Sequence, residues 1–131
     1  MITVDTHIII WNALKPDAIS LRARKAISKA NFKDGIILSE ISWWEITMLI
    51  KKNRLKIDVS FLEFSRLVIS SNKYILKGIT PEIADLSVNL PDEINHDPAD
   101  RIIAATSITY KAPLVTADEN LLHAKRIRTI W

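Results

Sequence analysis

The segment Ile2-Thr-Val4-Asp5-Thr6-His7 decides how the rest of the chain is read. Ile2, Thr3 and Val4 are all β-branched and favour an extended strand, and an acid follows at once. Asp5 or Thr6 is then placed to cap a helix running to about Leu14. A strand that enters a helix through a capping residue opens a βαβ unit, and the remaining sequence repeats the alternation. A second helix spans about Ile19 to Ala30, with Leu21, Ala26, Ile27 and Ala30 as its candidate buried stripe. Gly35 turns the chain into Ile36-Ile-Leu38, a buried strand. Ser42 is a candidate N-cap for a helix of about Trp43 to Lys52, whose last lysines suit the negative end of its dipole. Ser60 opens another, with Phe61, Phe64, Leu67 and Val68 at helical spacing, and Tyr74-Ile-Leu76 forms a third strand. Thr80-Pro81-Glu82 starts a helix to about Asn89, and Asp97-Pro98-Ala-Asp100 one to about Tyr110. Pro113-Leu-Val-Thr116 is a fourth strand, and Arg126 to Ile130 contain a short fifth at an edge. The predicted architecture is an α/β/α sandwich around a parallel sheet of four to five strands.

The length of 131 residues suits one domain, 1–131. With 48% apolar and 25% charged residues, the chain is neither a disordered tail nor a membrane bundle. No apolar run approaches the roughly 18 residues that cross a bilayer. Met1-Ile-Thr-Val-Asp5 carries an acid where a signal peptide carries Lys or Arg, which predicts a cytoplasmic protein. The absence of cysteine removes disulfides, thiolate metal sites and Cys nucleophiles. Gly35 and Gly78 are the only glycines, too few for a phosphate-cradling loop or a dinucleotide fingerprint. His7, His96 and His123 form no H-E-x-x-H pair, and no Ser lies in G-x-S-x-G. Any enzymatic chemistry falls to the acids.

Functional groups of an open parallel sheet gather outside the carboxyl ends of its strands. Asp5 directly follows the first strand, and Asp118 lies two residues past Leu114-Val-Thr116. Glu45 shares a helix face with Ile41, Met48 and Leu49, so its carboxylate faces burial and needs a proton, a basic partner such as Lys52, or a metal. Asp97 and Asp100 resemble a capping box, and Asp118 is also placed to cap Asn120-Leu-Leu122. Each acid alone has this structural explanation; four at one edge of a sheet point elsewhere. Converging carboxylates repel by roughly 4 kcal/mol per pair at ~4 Å and an effective dielectric near 20. A divalent cation neutralises such a cluster, and all-oxygen ligands select hard ions, Mg²⁺ or Mn²⁺. These ions retain open positions and bind phosphates.

Four segments carry a resemblance: Val4-Asp5-Thr6, Ser39-Glu-Ile-Ser42-Trp-Trp-Glu45-Ile46, His96-Asp97-Pro-Ala-Asp100-Arg-Ile-Ile-Ala-Ala105 and Leu114-Val-Thr116-Ala-Asp118. In this order and spacing the chain resembles the PIN-domain ribonucleases, specifically the VapC-type toxins of type II toxin–antitoxin pairs. The resemblance implies a PIN-like fold and an acidic quartet of Asp5, Glu45, Asp100 and Asp118 holding one or two Mg²⁺ or Mn²⁺ ions. Thr116 falls on the hydroxyl that precedes the last acid, Thr6 stands in the first motif, and Asp97 matches an additional acid of the D-P-x-D-R subgroup. His7 departs from the Asn or Ser common at that place. The implied reaction is endonucleolytic cleavage of RNA leaving a 3′-hydroxyl and a 5′-phosphate. The implied partners are a cognate antitoxin and, commonly, a second copy of the chain.

Charge agrees with an RNA substrate. The formal net charge is +3, and neutralising the four acids leaves the remainder strongly basic. Residues 19–33 and 46–57 hold several basic side chains and no acid, and Arg22, Arg24, Lys51 and Arg54 are the candidate RNA contacts. Trp11, Trp43 and Trp44, with Ile8, Ile9 and Ile10 beside the first, form a candidate antitoxin-docking surface or else part of the core. An aspartyl-phosphate phosphatase needs a second acid two residues after Asp5, where His7 stands. A receiver-like domain needs a phosphorylatable Asp after a central strand, whereas the third strand runs into Lys77-Gly78. A non-catalytic binding module on the same fold remains as a further alternative, separated by whether the acids converge.

Overall fold

A computed structural model describes residues 1–131. Its elements follow the alternation in order: β1 (Ile2–Val4), α1 (Thr6–Leu14), α2 (Leu21–Phe32), β2 (Ile36–Ser39), α3 (Ile41–Lys51), α4 (Phe61–Ser71), β3 (Tyr74–Lys77), α5 (Pro81–Asn89), α6 (Pro98–Thr109), β4 (Leu114–Val115), α7 (Glu119–His123) and β5 (Thr129–Ile130). All strands pair in parallel, in the order β3-β2-β1-β4-β5. The chain therefore builds outward from β1 in one direction, then crosses back and builds in the other. Adjacent residues of β4 belong to different cores: Val115 joins the cluster of α1, α2 and α4, and Leu114 joins that of α5, α6 and α7. Alternating residues of a strand point to opposite faces, so both faces of the sheet are covered by helices, as in a PIN-like α/β/α sandwich.

Local chemistry sets most element boundaries. The Asp5 carboxylate accepts from the Thr6 N–H and opens α1. Ser60, Thr80, Asp97 and Asp118 each accept from the backbone N–H three residues on, at the starts of α4, α5, α6 and α7. Two expectations need correction. Ser42 lies inside α3, and Glu40 stands at the cap position without a side-chain bond. The Ser42 hydroxyl instead pairs with the Thr6 hydroxyl at 2.9 Å, so a tertiary partner takes the group from the helix end. In α2, the buried stripe is Ala23, Ile27 and Ala30, while Leu21 is 61% exposed. That helix begins after its Ser20 cap, two residues later than expected, and Leu21, two residues from Ala23, lies about 200° round the helix from the buried stripe.

Gly35 enters β2 with φ +99°, a conformation that favours glycine, and a Cβ there would stand 2.7 Å from Ile75 Cδ1 and 3.1 Å from Lys73 O. Gly35→Ala combines this strain with a clash at the β2–β3 junction. Thermal or denaturant unfolding should show a loss of about 1–3 kcal/mol.

Candidate active site

Where the strand order reverses, between β1 and β4, a crevice opens outside the carboxyl ends of the two strands. Asp5 is the first residue beyond β1 and Asp118 the third beyond β4. The cleft there has a volume of about 390 Å³ and is lined by Asp5, Glu45, Asp97, Asp100 and Asp118, with His7, Trp11 and Ala117. No Lys or Arg lines it. A larger apolar hollow beside α1 and α4 offers only Asp58 as a titratable group and no comparable chemistry.

Each acid is aimed by a neutral donor. Asp5 is 6% exposed; its Oδ1 accepts from the Thr6 N–H at 2.8 Å, and its Oδ2 from the Thr116 hydroxyl at 2.7 Å. Thr116 Oγ1 also accepts from the Asp118 N–H at 3.0 Å, tying the turn after β4 to the acid after β1. Glu45 reaches the cleft from α3 and accepts at Oε1 from the Thr6 hydroxyl. Lys52 makes no ion pair with it; the three ion pairs are Met1–Asp34, Arg66–Glu63 and His123–Glu119. Asp100 comes from the first turn of α6, and its Oδ2 accepts from Asn95 Nδ2 at 3.0 Å. Oxygens of Asp5, Glu45 and Asp100 all lie within 4.8 Å of one another.

Asp97 caps α6 by accepting from the Asp100 N–H at 3.1 Å, but the capping box is not reciprocal. Asn95 Oδ1, rather than Asp100, accepts the Asp97 N–H at 2.9 Å. An Asp carboxylate is one methylene shorter than the Glu of such a box, and here it turns toward the cleft. Asp118 caps α7 through Oδ1, accepting from the Leu121 N–H at 3.0 Å, and stands on the cleft wall outside the tight group of three.

These positions shape proton affinity. Burial raises the Asp5 carboxyl above its ordinary range, against the lowering bonds from Thr116 and Thr6. Burial likewise raises Glu45, opposed by its Thr6 bond and reinforced by Asp5 and Asp97. Asp100 is pushed up to about 7, by burial first and then by the negative charge of Asp5, with Asp97 and Glu45 adding to it. The donor set is all oxygen and no lysine or arginine lines the cleft, which suits a hard divalent ion held by Asp5, Glu45 and Asp100.

Asn95 and Arg101 were not singled out from sequence. Asn95 links Asp97 and Asp100 as above. Arg101 is 8% exposed, and its guanidinium donates to the carbonyls of Ser87, Leu90, Ile94 and Asn95. It thus fixes the loop that presents Asn95. The signal was an Arg directly after Asp100 on an otherwise apolar helix. Among the candidate RNA contacts, Arg22, Arg24, Lys51 and Arg54 are exposed, and none lines the cleft. Ile8, Ile9 and Ile10 are buried, so they belong to the core; Trp11 and Trp43 are half-buried, and Trp44 is 56% exposed.

The comparisons agree with this geometry. Residues 2–127 match the PIN domain family model. The chain is 32% identical over 132 residues to Ribonuclease VapC22 of Mycobacterium tuberculosis, spanning 99% of this chain and 98% of that protein. The chain therefore belongs to the PIN-domain family and, within it, to the VapC-type proteins. The fold is shared with VapBC2 from Rickettsia felis bound to a DNA fragment from their promoter, at 17% identity and a TM-score of 0.72. It is shared also with a toxin–antitoxin complex from Klebsiella pneumoniae, at 21% identity and a TM-score of 0.65. Each alignment covers 98% of this chain and 97% of the other.

The raised Asp100 value sets a sign for stability. In metal-free buffer the unfolded chain releases this proton near the ordinary 3.8, whereas the folded chain holds it to about 7. Folding is therefore favoured at low pH by this group, and the contribution is lost as pH rises from about 4 to about 7. Melting temperatures of metal-free protein across that window should fall more steeply for wild type than for Asp100→Asn.

Proposed function

We propose that the chain is a divalent-metal-dependent endoribonuclease, the toxin of a toxin–antitoxin pair, with Asp5, Glu45, Asp100 and Asp118 as its catalytic acids. The observation that carries this reading is the meeting of three carboxylates within 4.8 Å in an open cleft that no lysine or arginine lines. Nearly full-length similarity to a VapC ribonuclease supports the activity, and the fold shared with proteins solved in toxin–antitoxin complexes supports an antitoxin partner. The convergence also favours an enzyme over a binding module on the same fold.

Asp5, Glu45 and Asp100 would hold Mg²⁺ or Mn²⁺, with Asp118 completing the set. When bound, such an ion supplies Lewis acidity, acidifying water and offsetting negative charge that grows on a phosphodiester. The protein supplies the aim. Neutral donors grip one oxygen of each flanking acid and leave Glu45 Oε2, Asp100 Oδ1 and Asp118 Oδ2 without a protein hydrogen bond. Thr116 fixes Asp5 and, through the Asp118 N–H, holds the two ends of the cleft in one register. Asp97 keeps α6 pointed at the cleft through its cap and adds negative potential beside Asp100. Trp11 offers an aromatic wall against which an unpaired base can stack.

Cleavage of RNA should stop with EDTA and return with Mg²⁺ or Mn²⁺. Asp5→Asn should lose most cleavage while melting no lower than wild type without metal, since it removes a buried charge. Divalent ions should raise the melting temperature of wild type by mass action and that of Asp5→Asn less. Full cleavage by chelated wild type, or by folded Asp5→Asn, would overturn the assignment.

A further inference from the structure

The opposite end of the sheet carries a second concave site of opposite charge. Lys111, Arg126 and Arg128 line a pocket of about 300 Å³ together with Ser107 and Pro113, at the amino ends of β4 and β5. No acid lines it, and none of these three side chains joins an ion pair or donates a hydrogen bond within the protein. The backbone beneath them is fixed. The Ser107 hydroxyl donates to Ala112 O at 2.6 Å, and the Leu114 N–H to Arg128 O at 2.8 Å.

Lys111 stands there against its backbone preference. The Lys111 N–H donates to Ile108 O and the Ala112 N–H to Ser107 O, which closes α6 in a Schellman arrangement. Its φ of 52° lies in the left-handed region where glycine is favoured, yet a lysine occupies it. One cation satisfies the dipole at the end of α6; Arg126 and Arg128 come from a different segment and exceed that need.

The edge strand β5 connects this pocket to the acidic cleft. From Arg128 to Trp131 the chain advances about 10 Å, and the Trp131 ring packs 6.1 Å from Trp11, which lines the cleft. That length matches about three stacked nucleotides at 3.4 Å each. Arginine forks match phosphate geometry, and the aromatic pair at the far end suits unpaired bases.

We propose that Lys111, Arg126 and Arg128 form a second RNA-backbone site, gripping phosphodiesters along β5 while another part of the strand occupies the acidic cleft. The proposal rests on the ribonuclease reading and adds a substrate-anchoring site to it. The full-length protein is tested with a labelled single-stranded RNA, by anisotropy in EDTA across a salt series and by steady-state cleavage with Mg²⁺. Lys111→Gln/Arg126→Gln/Arg128→Gln should lower the slope of log K against log salt by about 2, near 0.7 per cation lost. Its KM should rise about tenfold or more with kcat within about twofold. Lys111→Gly should melt higher, because glycine relaxes the left-handed position, yet bind RNA more weakly; a merely structural lysine would leave RNA binding unmoved.

Wild-type slope and KM in the triple variant would overturn the proposal, even if inorganic phosphate shifts the Lys111 and Arg128 amide resonances, because the site would then take small anions only. Wild type that binds RNA through these residues without cleaving it would overturn the ribonuclease reading and leave this site standing. No RNA binding by wild type would overturn both.

Discussion

Carboxylates brought together with no lysine or arginine among them constrain everything around them. Asp5, Glu45 and Asp100 approach within 4.8 Å, where like charges repel by on the order of 3–4 kcal/mol per pair at an effective dielectric near 20. A lysine in the cleft would relieve that repulsion and also remove the negative charge that a divalent ion would need. The chain instead positions the acids with neutral donors: two threonine hydroxyls, a backbone N–H and an asparagine amide. These fix direction without neutralising charge.

The donors are in turn held by structure that never touches the cleft. Ser42 shares a hydrogen bond with Thr6, and Thr116 spans from Asp5 to the Asp118 backbone. Arg101 gathers one carbonyl from the last turn of α5 and three from the loop after it, and that loop delivers Asn95 between Asp97 and Asp100. A buried guanidinium ringed by carbonyls is an unusual choice, since its charge has no acidic partner. It satisfies backbone acceptors that a short irregular loop cannot pair internally, while adding a positive charge near α6 without entering the cleft.

The sheet separates charge along its strands. Acids collect beyond the carboxyl ends of β1 and β4, and the unpaired cations Lys111, Arg126 and Arg128 collect at the amino ends of β4 and β5. The aromatic contact of Trp11 with Trp131 lies at the cleft end of the edge strand. A polyanion would meet attraction at the amino end and repulsion at the carboxyl end, which a bound divalent ion would reverse. This separation of charge is what a sheet needs if one end is to hold a divalent ion and the other a phosphate backbone.

Much of this was legible from residue order. Short runs rich in β-branched and other apolar residues, alternating with capping residues, gave the order of strands and helices, because those preferences act within a few residues. The same local logic placed Asp5 and Asp118 at strand ends, and the spacing of the four motifs carried the family. Residue order did not determine the choice among partners for a polar group. Ser42 was equally suited to cap α3 or to pair across to Thr6, and Asp100 to close a capping box or to face the cleft. Only packing α1 against α3 brought Thr6 to Ser42, and only packing α6 against β1 and α3 brought Asp100 to Asp5 and Glu45. Asn95 and Arg101 were silent for the same reason: their role lies in contacts with a loop whose path the local sequence does not encode. The hydrogen bonds that aim the acids link residues up to 111 positions apart, and no local preference acts over that range.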